Sequence, residues 1–341
     1  MSSSPDTTVA FIGIGVMGYS MAVNLRSKLP SSQHLLICDV SKTLLDKFQT
    51  ENASNGPIEV VPNGYEAIRR ANTVITMLPT AGSVEKVYLD EKTGVIQGAI
   101  DASKNGNPQK KLIMECGTIE TATILKVSQA TKDAVPKLAE GATLDFVDAP
   151  VSGGPMGAEA GTLTFMVGAT SKGSYEHAKE YLQHMGKKDS IFHCGDVGAG
   201  TAFKVINNYL SAVTSLAASE ALNIGAKMGL DLKLLTDVIN VSGGQCWVTS
   251  QSNPVPGIHA NAPASRGYEG GFRIELCKHV LEMGHSLAQM VGARTILDKP
   301  TLAAFDEAMN DERYKGKDAR VVYKWLNDQE VEKAVNGEKK G

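Results

Sequence analysis

A glycine-rich turn near the start of the chain constrains its fold more than any other feature. Residues 11–18 read FIGIGVMG and fit the pattern G-x-G-x-x-G, directly after an apolar run and at the start of a helical pattern. In such a turn the first glycine permits a tight bend, the second lets a pyrophosphate approach the backbone, and the third allows helix and strand to pack closely. Free N–H groups at the helix start add positive potential for phosphates. The predicted dinucleotide-binding residues are Gly13, Ile14, Gly15, Val16, Met17 and Gly18.

An acidic residue follows this turn at the distance that a dinucleotide site requires. The next apolar run, residues 35–38, ends in Asp39, about 20 residues beyond the last glycine. A carboxylate at that point accepts hydrogen bonds from the adenosine ribose hydroxyls and disfavours a 2′-phosphate. Val40, Ser41 and Lys42 come next, without an arginine. NAD is therefore the predicted cofactor, and the single Lys42 leaves NADP open as the alternative.

The first half of the chain alternates short apolar runs with helical patterns, which is typical of a parallel sheet. Most of the runs are continuously apolar, as expected for strands covered by helices on both faces. The predicted strands are Val9–Ile14, Leu35–Asp39, Glu59–Val61, Thr73–Leu78, Lys111–Glu115, Leu144–Asp148, Leu163–Val167 and Ile191–Cys194. The polar stretch Asp90–Lys110 is predicted as a surface excursion because of its glycine and proline residues. These patterns predict an α/β fold with an N-terminal, doubly wound Rossmann sheet.

After Asp196 the pattern changes to helices alone. Residues Thr201–Met228 contain no proline and carry apolar residues at helical spacing, which predicts a helix about 42 Å long at 1.5 Å per residue. Because much of its circumference is apolar, we expect a second domain or a second subunit to bury it. Further helices are predicted at Asp231–Val241, Ile274–Val291, Pro300–Met309 and Lys317–Leu326. We expect a Rossmann domain at residues 1–196 and an all-α substrate and oligomerisation domain at 197–341, joined by the long helix.

Composition excludes several other classes of protein. The 341 residues carry 34 Lys and Arg against 37 Asp and Glu with interspersed signs, so no nucleic-acid surface is predicted. No apolar run is long enough for a membrane span, so no membrane partner is expected either. The five cysteines are scattered, and no Cys or His pair has the spacing of metal ligands, which predicts reduced thiols and no metal site.

A lysine on the long apolar helix is the strongest candidate for chemistry. Lys204 lies one turn inside the predicted helix, and Asn208 follows four residues later on the same face. Upstream, residues 148–154 read DAPVSGG and follow a strand end, where they offer a hydroxyl and backbone N–H groups to a small carboxylate. The alternative for Lys204 is a surface lysine whose stem packs on the helix and whose ammonium is solvated.

Several motifs in one order resemble those of the β-hydroxyacid dehydrogenase family. They extend over Val9–Leu326 and read FIGIGVMG, TMLPT, DAPVSGG, GAGTAFKVINN and then SGGQCW, NPVPG and GGF. The last three are most similar to the branch of the family that acts on 3-hydroxyisobutyrate. The resemblance implies a Rossmann domain with a helical second domain, NAD as cofactor and a small anionic hydroxy acid as substrate. In that branch the reaction is reversible oxidation of 3-hydroxyisobutyrate to methylmalonate semialdehyde, a step of valine catabolism.

The resemblance also implies roles for individual residues. Lys204 would be the catalytic acid–base group, assisted by Asn208. The implied substrate-binding residues are Ser152, Gly153, Gly154 and Lys278. The implied cofactor contacts, besides the glycine-rich turn and Asp39, are Leu78, Pro79, Ser83, Thr118, Phe272 and Lys278. We further expect the segment of residues 242–271, rich in Gly, Pro, Ser and Asn, to close over the site; burial of its Trp247 in the core is the alternative reading.

Two features depart from the family pattern. His279 follows Lys278 where the family usually has aspartate, so a fixed negative charge beside that lysine is missing. The Asp90–Lys110 excursion is longer than usual and is expected to affect the surface. Imine reductases share the architecture but replace the catalytic lysine, so Lys204 argues against them. Oxidation of another small hydroxy acid and a non-catalytic, NAD-binding paralogue stay open.

The sequence also gives expectations for the oligomeric state and the cellular location. The long apolar helix predicts a homodimer or homotetramer. The resemblance implies an intracellular, mitochondrial protein, whereas the absence of a visible transit peptide in the first residues leaves the cytoplasm open.

Overall fold

The computed structural model describes residues 8–104 and 109–328. The chain divides into two compact units, Met1–Lys204 and Val205–Gly341. The point of division lies within one continuous helix, Ala199–Lys227. The domain boundary expected near Asp196 stays a prediction.

The first unit is built on one sheet. Its strands are β1 (Thr8–Ile12), β2 (His34–Cys38), β3 (Ile58–Val60), β4 (Thr73–Thr76), β5 (Lys110–Glu115), β6 (Thr143–Asp148), β7 (Val151–Ser152), β8 (Leu163–Gly168) and β9 (Gly186–Gly195). All eight predicted strands are present, and the two-residue β7 is additional. The order is β3-β2-β1-β4-β5-β6-β8-β7, with β9 paired to β8. The parallel part, 3-2-1-4-5-6, is the strand order of a dinucleotide-binding Rossmann fold, so the predicted fold class is confirmed.

Helices cover both faces of this sheet. They are α1 (Val16–Lys28), α2 (Lys42–Asn52), α3 (Gly64–Arg70), α4 (Ala81–Leu89), α5 (Val95–Ser103), α6 (Thr121–Ala134), α7 (Gly154–Ala160) and α8 (Lys172–Leu182). Successive residues of a strand point to opposite faces. In β1, Val9 and Phe11 belong to one buried cluster, and Ala10 and Ile12 belong to the other. Two apolar layers therefore explain why the strands read as continuous apolar runs.

The prediction of a surface excursion at Asp90–Lys110 is wrong for its middle part. Helix α5 occupies Val95–Ser103, and Val95, Ile96, Ala99 and Ile100 are buried in the core on one face of the sheet. These four apolar residues recur at helical spacing, so the polar residues on either side concealed an amphipathic helix. Residues 105–108 of the excursion lie outside the described part of the chain.

The second unit is helical in its described residues. Beyond α9 (Ala199–Lys227) it contains α10 (Leu232–Asn240), α11 (Trp247–Gln251), α12 (Ile274–Val291) and α13 (Asp298–Met309), with further helical turns over 322–328. The bounds of α12 are those predicted. Up to residue 328 the chain forms no strand after β9, although one isolated bridge joins Arg273 and Asp318. None of the helices that the structure describes is long and apolar enough to cross a membrane.

Candidate active site

The glycine-rich turn between β1 and α1 has the space that a dinucleotide needs. Gly13 has a φ of +90°, and a side-chain carbon there would lie 2.4 Å from the Met77 carbonyl oxygen. At Gly18 such a carbon would lie 1.9 Å from the carbonyl oxygen of Gly13, so turn and helix pack without room for a side chain. Gly15 is exposed and would meet no protein atom within 4 Å. Gly13 and Gly18 are thus required by packing, whereas Gly15 leaves open space beside the backbone, which fits a pyrophosphate.

The carboxylate predicted to bind the ribose is oriented by the same turn. Asp39 follows β2; its Oδ2 accepts a hydrogen bond from the Ile14 N–H at 2.8 Å, and its Oδ1 accepts one from Ser41 at 2.8 Å. The side chain is half-buried. Each carboxylate oxygen can accept more than one bond, so Asp39 has acceptor capacity left for ribose hydroxyls. The residues present therefore fit NAD.

The other predicted cofactor residues of the first unit follow β4 and β5. Leu78 is buried and Pro79 is exposed in the turn after β4. Thr80 is the N-cap of α4 and accepts the Ser83 N–H at 3.2 Å, while the two hydroxyls lie 2.9 Å apart. Thr118 is half-buried after β5. Because β1, β4 and β5 are parallel neighbours, their carboxyl ends meet at one edge of the sheet, where dinucleotides bind in such folds.

A buried glutamate at this edge was not predicted from the sequence. Glu115 ends β5, is fully buried, and accepts hydrogen bonds from the Gly117 N–H at 2.6 Å and the Leu78 N–H at 3.4 Å. The Thr76 hydroxyl also contacts this carboxylate. Burial raises the pKa of Glu115 to about 7. Glu115 thus joins the turn after β4 to the turn after β5 through hydrogen bonds. In the sequence it could have been recognised as an acidic residue at the end of an apolar strand.

The predicted substrate loop follows β6. Ser152 is half-buried in β7, and Gly153 and Gly154 are exposed, with φ values of +134° and +61°. Both φ values lie in the left-handed region that favours glycine. Around Gly154 a side-chain carbon would meet no protein atom within 4 Å. The loop is therefore accessible to a small ligand.

Lys204 is buried in α9. It is 8% exposed, and burial lowers its pKa to about 8. Within residues 8–104 and 109–328, Lys204 forms no ion pair. The alternative of a surface lysine with a solvated ammonium is therefore wrong. Asn208 is half-buried one helical turn later, and its Oδ1 accepts a bond from Asn207 at 3.3 Å.

Lys278 belongs to the second unit and has different surroundings. It lies on α12, and its Nζ is 2.6 Å from Asp306 Oδ1 on α13 and 3.9 Å from Glu282 Oε1. The hydrogen bond to Asp306 raises the pKa of Lys278. His279 is largely exposed, and its Nδ1 lies 3.8 Å from Glu282 Oε2. Lys278 therefore has a carboxylate partner although residue 279 is not an aspartate. That partner is Asp306, which the sequence pattern did not reveal.

The ion pair of Asp318 and Arg320 contacts residues near both ends of the segment 242–271. The Asp318 carboxylate is buried; its Oδ2 lies 3.3 Å from Arg320 Nη1 and accepts the Phe272 N–H at 2.8 Å. Trp247 is 58% exposed, and the Arg320 guanidinium lies 5.3 Å from its ring centre. The alternative reading of Trp247 as a core residue is therefore wrong. Short helical turns at Trp247–Gln251 and Pro263–Arg266 show that the segment has its own structure, and its closure over the site stays a prediction.

Two models of known protein families match this chain, one in its first part and one in its second. A family model described as the NAD binding domain of 6-phosphogluconate dehydrogenase matches residues 8–195. A second, described as NAD-binding of NADP-dependent 3-hydroxyisobutyrate dehydrogenase, matches residues 198–326. Between them they cover almost all of the described chain.

Individual relatives are similar along their whole length. "Probable 3-hydroxyisobutyrate dehydrogenase, mitochondrial" of Dictyostelium discoideum is 37% identical, with 96% of this chain and 93% of that protein covered. The NAD-dependent L-serine dehydrogenase of Pseudomonas aeruginosa is 35% identical, with 93% and 96% covered. Among solved structures, 3-hydroxyisobutyrate dehydrogenase of Mycobacterium tuberculosis with L-serine has a TM-score of 0.78 at 30% identity, covering 94% of this chain and 99% of that one.

Proposed function

The chain belongs to the β-hydroxyacid dehydrogenase family of NAD-dependent oxidoreductases, and we propose that it oxidises 3-hydroxyisobutyrate to methylmalonate semialdehyde with Lys204 as acid–base group. The observation that carries this proposal is the burial of Lys204, which lowers its pKa to about 8 on a helix whose neighbouring motifs match the family. A lysine with that pKa can exchange a proton near neutral pH, whereas an exposed lysine stays protonated.

NAD would be bound by the glycine-rich turn, with Asp39 at the ribose and Leu78, Pro79, Ser83 and Thr118 along the sheet edge. When bound, the nicotinamide supplies a hydride acceptor for the carbon that carries the hydroxyl group. Asp39 favours NAD over NADP because a 2′-phosphate would bring negative charge against its carboxylate. From the second unit we propose Phe272 and Lys278 as further contacts, on the strength of the family motifs.

Lys204 handles the proton of the reacting hydroxyl group. Its neutral amine accepts that proton as the alcohol becomes an aldehyde, and its ammonium returns a proton to the aldehyde oxygen in the reverse direction. With a pKa of about 8, roughly a tenth of Lys204 is neutral at pH 7. The Asn208 amide, one turn along α9, would orient the hydroxyl group.

The substrate carboxylate needs donors that stay charged or rigid. Ser152 offers a hydroxyl, and Gly153 and Gly154 offer backbone N–H groups on an exposed loop. The ordinary pKa of a lysine already lies far above 7, and the hydrogen bond to Asp306 raises that of Lys278 further. Lys278 therefore stays protonated and suits binding of an anion and not proton transfer. One lysine suited to proton transfer and another suited to binding a carboxylate together support a small hydroxy acid as substrate.

L-serine is the second candidate substrate. The similar Pseudomonas aeruginosa protein is named an L-serine dehydrogenase, and the similar Mycobacterium tuberculosis structure is described with L-serine. Serine and 3-hydroxyisobutyrate share a primary hydroxyl on the carbon next to the one bearing the carboxylate. The same residues would therefore serve both.

Steady-state kinetics with both cofactors test the proposal. We expect the highest kcat/KM with 3-hydroxyisobutyrate and NAD, in a panel that also contains L-serine, 3-hydroxypropionate and glycerate. A higher kcat/KM for L-serine would reassign the substrate. NAD binding without turnover of any hydroxy acid would favour the non-catalytic paralogue, and better activity with NADP would contradict the role of Asp39.

We also propose that the protein is a homodimer or homotetramer. Large apolar side chains of the second unit are exposed on α9, on α10 and in the turn after α9: Ile206, Leu210, Ile224, Met228, Leu234 and Val238. A second copy would bury them. Light scattering should give two or four times the chain mass of 36.2 kDa, and a Leu210→Glu variant should shift it toward one. A wild-type protein of single-chain mass would contradict this.

The proposed location is the mitochondrion. Several relatives, including the Dictyostelium discoideum protein, carry that location in their names. Fractionation of cells that express the full chain with a C-terminal tag tests it. Recovery in the cytosolic fraction would contradict the proposal.

A further inference from the structure

We propose that Asp148 is a positioning residue, whose carboxylate fixes the helix that carries Lys204 to the strand that leads into the Ser152–Gly154 loop. This inference rests on the proposed function of Lys204. Nothing in the motif DAPVSGG by itself distinguishes this role for the aspartate from that of a solvated loop residue.

Asp148 caps the start of α9 from a distant part of the chain. The residue is fully buried; its Oδ1 accepts the Gly198 N–H at 2.7 Å, and its Oδ2 accepts the Thr201 N–H at 2.7 Å. The first N–H groups of a helix have no partner within the helix, and a carboxylate there also interacts favourably with the helix dipole. The first turn of α9 contains no acidic residue. The end of β6 therefore supplies the cap that the local sequence lacks.

Two glycines make this contact close. A side-chain carbon at Gly168 would lie 2.2 Å from Asp148 Oδ1, and one at Gly200 would lie 2.2 Å from the Met166 carbonyl oxygen and 3.0 Å from that of Asp148. The start of α9 thus rests directly on the backbone of β6 and β8. Because nothing larger than hydrogen fits at these points, the helix start has little freedom to shift.

The carboxylate links the two groups that must face one substrate. Asp148 is the last residue of β6, and Ser152 follows it after three residues. Lys204 lies one turn after Thr201 on α9. Displacing catalytic groups by about 1 Å can cost on the order of 10²-fold in rate. Loss of the Asp148 contacts should therefore affect proton transfer and substrate binding together.

The experiment compares Asp148→Asn and Asp148→Ala with a matched helix-cap control. Asn63→Ala is the control because Asn63 caps α3, a helix that carries none of the proposed site residues, by accepting the Glu66 N–H at 2.9 Å. Each variant is measured for thermal stability, NAD affinity, kcat and KM for the hydroxy acid, and the pKa of Lys204 by pH-dependent competitive labelling of its amine. The labelling works without cofactor or turnover.

We expect Asp148→Asn, which keeps one strong acceptor, to lower kcat about tenfold to a hundredfold, with a raised KM and unchanged NAD affinity. Asp148→Ala, which keeps no side-chain acceptor, should lower kcat further. The pKa of Lys204 should rise from about 8 toward its ordinary value, because a loosened helix start admits water. Asn63→Ala should lose thermal stability but keep kcat and the Lys204 pKa.

Three results would overturn the inference. One is a folded Asp148→Asn protein with wild-type kcat, KM and Lys204 pKa. The second is a loss of kcat no larger than that of Asn63→Ala at equal loss of stability. If neither Asp148 variant folds, hydrogen exchange on the wild type decides: fast exchange of the Gly198 and Thr201 amides would refute the cap, and slow exchange would support it. Absence of wild-type turnover with any hydroxy acid would instead contradict the proposed function, while the labelling and exchange readouts still test Asp148.

Discussion

Lys204 and Lys278, the two lysines proposed for the reaction, have opposite surroundings. Lys204 is buried on an apolar helix, without an ion pair in the described chain, and its pKa is lowered to about 8. Lys278 is partly exposed, contacts Asp306 at 2.6 Å, and its pKa is raised. Desolvation disfavours the charged form of an amine, whereas a neighbouring carboxylate favours it. The same side chain is thereby suited to proton transfer in one place and to anion binding in the other.

Removing the amine at the buried position should have the largest effect. We expect Lys204→Ala to lower kcat by about 10²–10⁴-fold, the range for a positioned acid–base group, while NAD affinity is unchanged. Lys126→Ala is the matched control, because Lys126 is an exposed lysine of the same unit that pairs with Glu85. Retention of more than about a tenth of wild-type activity would remove Lys204 from the acid–base role.

Stability should respond to the two lysines in opposite directions. Since the folded pKa of Lys204 lies at about 8 against an ordinary value of 10.5, the unfolded chain binds more protons between these pH values. The free energy of unfolding therefore rises with pH in that window. At pH 7 the buried amine destabilises the fold by on the order of 3 kcal/mol.

Lys204→Met should therefore raise the melting temperature at pH 7. Lys278→Met should lower it slightly, because loss of an exposed ion pair reduces the free energy of unfolding by no more than about 1 kcal/mol. Calorimetry at pH 7 and pH 10 measures both. Equal destabilisation by the two substitutions would contradict the electrostatic contrast.

The pH profile should report the pKa of Lys204 and not that of Lys278. For oxidation, kcat should rise about tenfold per pH unit below the pKa of Lys204 and level off above it, at about pH 8. Reduction of the aldehyde should show the inverse dependence, because it needs the ammonium form. A Lys278→Met variant should keep the same inflection. Movement of the inflection in that variant would show that the two lysines titrate together.

The smallest effect concerns the carboxylate partner of Lys278. Asp306→Asn should raise KM for the hydroxy acid by about twofold to fivefold, because the Lys278 ammonium loses the hydrogen bond to a carboxylate that holds it in place. The variant should leave kcat unchanged. His279→Asp is the matched comparison, since it restores the residue usual in the family. We expect little change from it, because Asp306 already contacts the ammonium. If His279→Asp restored the wild-type KM in the Asp306→Asn variant, this would support a carboxylate partner as the function of Asp306. If His279→Asp alone changed KM more than Asp306→Asn does, this would contradict that function.

Much of the fold could be predicted from local patterns. The eight apolar runs correspond to β1–β6, β8 and β9, and α12 has the predicted bounds Ile274–Val291. These elements bury continuous or regularly spaced apolar residues, and such spacing is written in the sequence itself. Helix α5 was missed because its four core residues lie between polar stretches that resemble a loop.

The sequence alone determined the fold class and the glycine-rich turn, and it made Asp39 a candidate ribose contact and Lys204 a candidate for chemistry, because these depend on residue types at short, regular separations. Lys278 became a candidate only through the family resemblance. Only the tertiary structure decided the pKa of Lys204, the pairing of Lys278 with Asp306 and the bonds from Asp148 to Gly198 and Thr201. Burial and ion pairing arise between elements that lie far apart in the chain. No local periodicity encodes which carboxylate meets which amine or helix start.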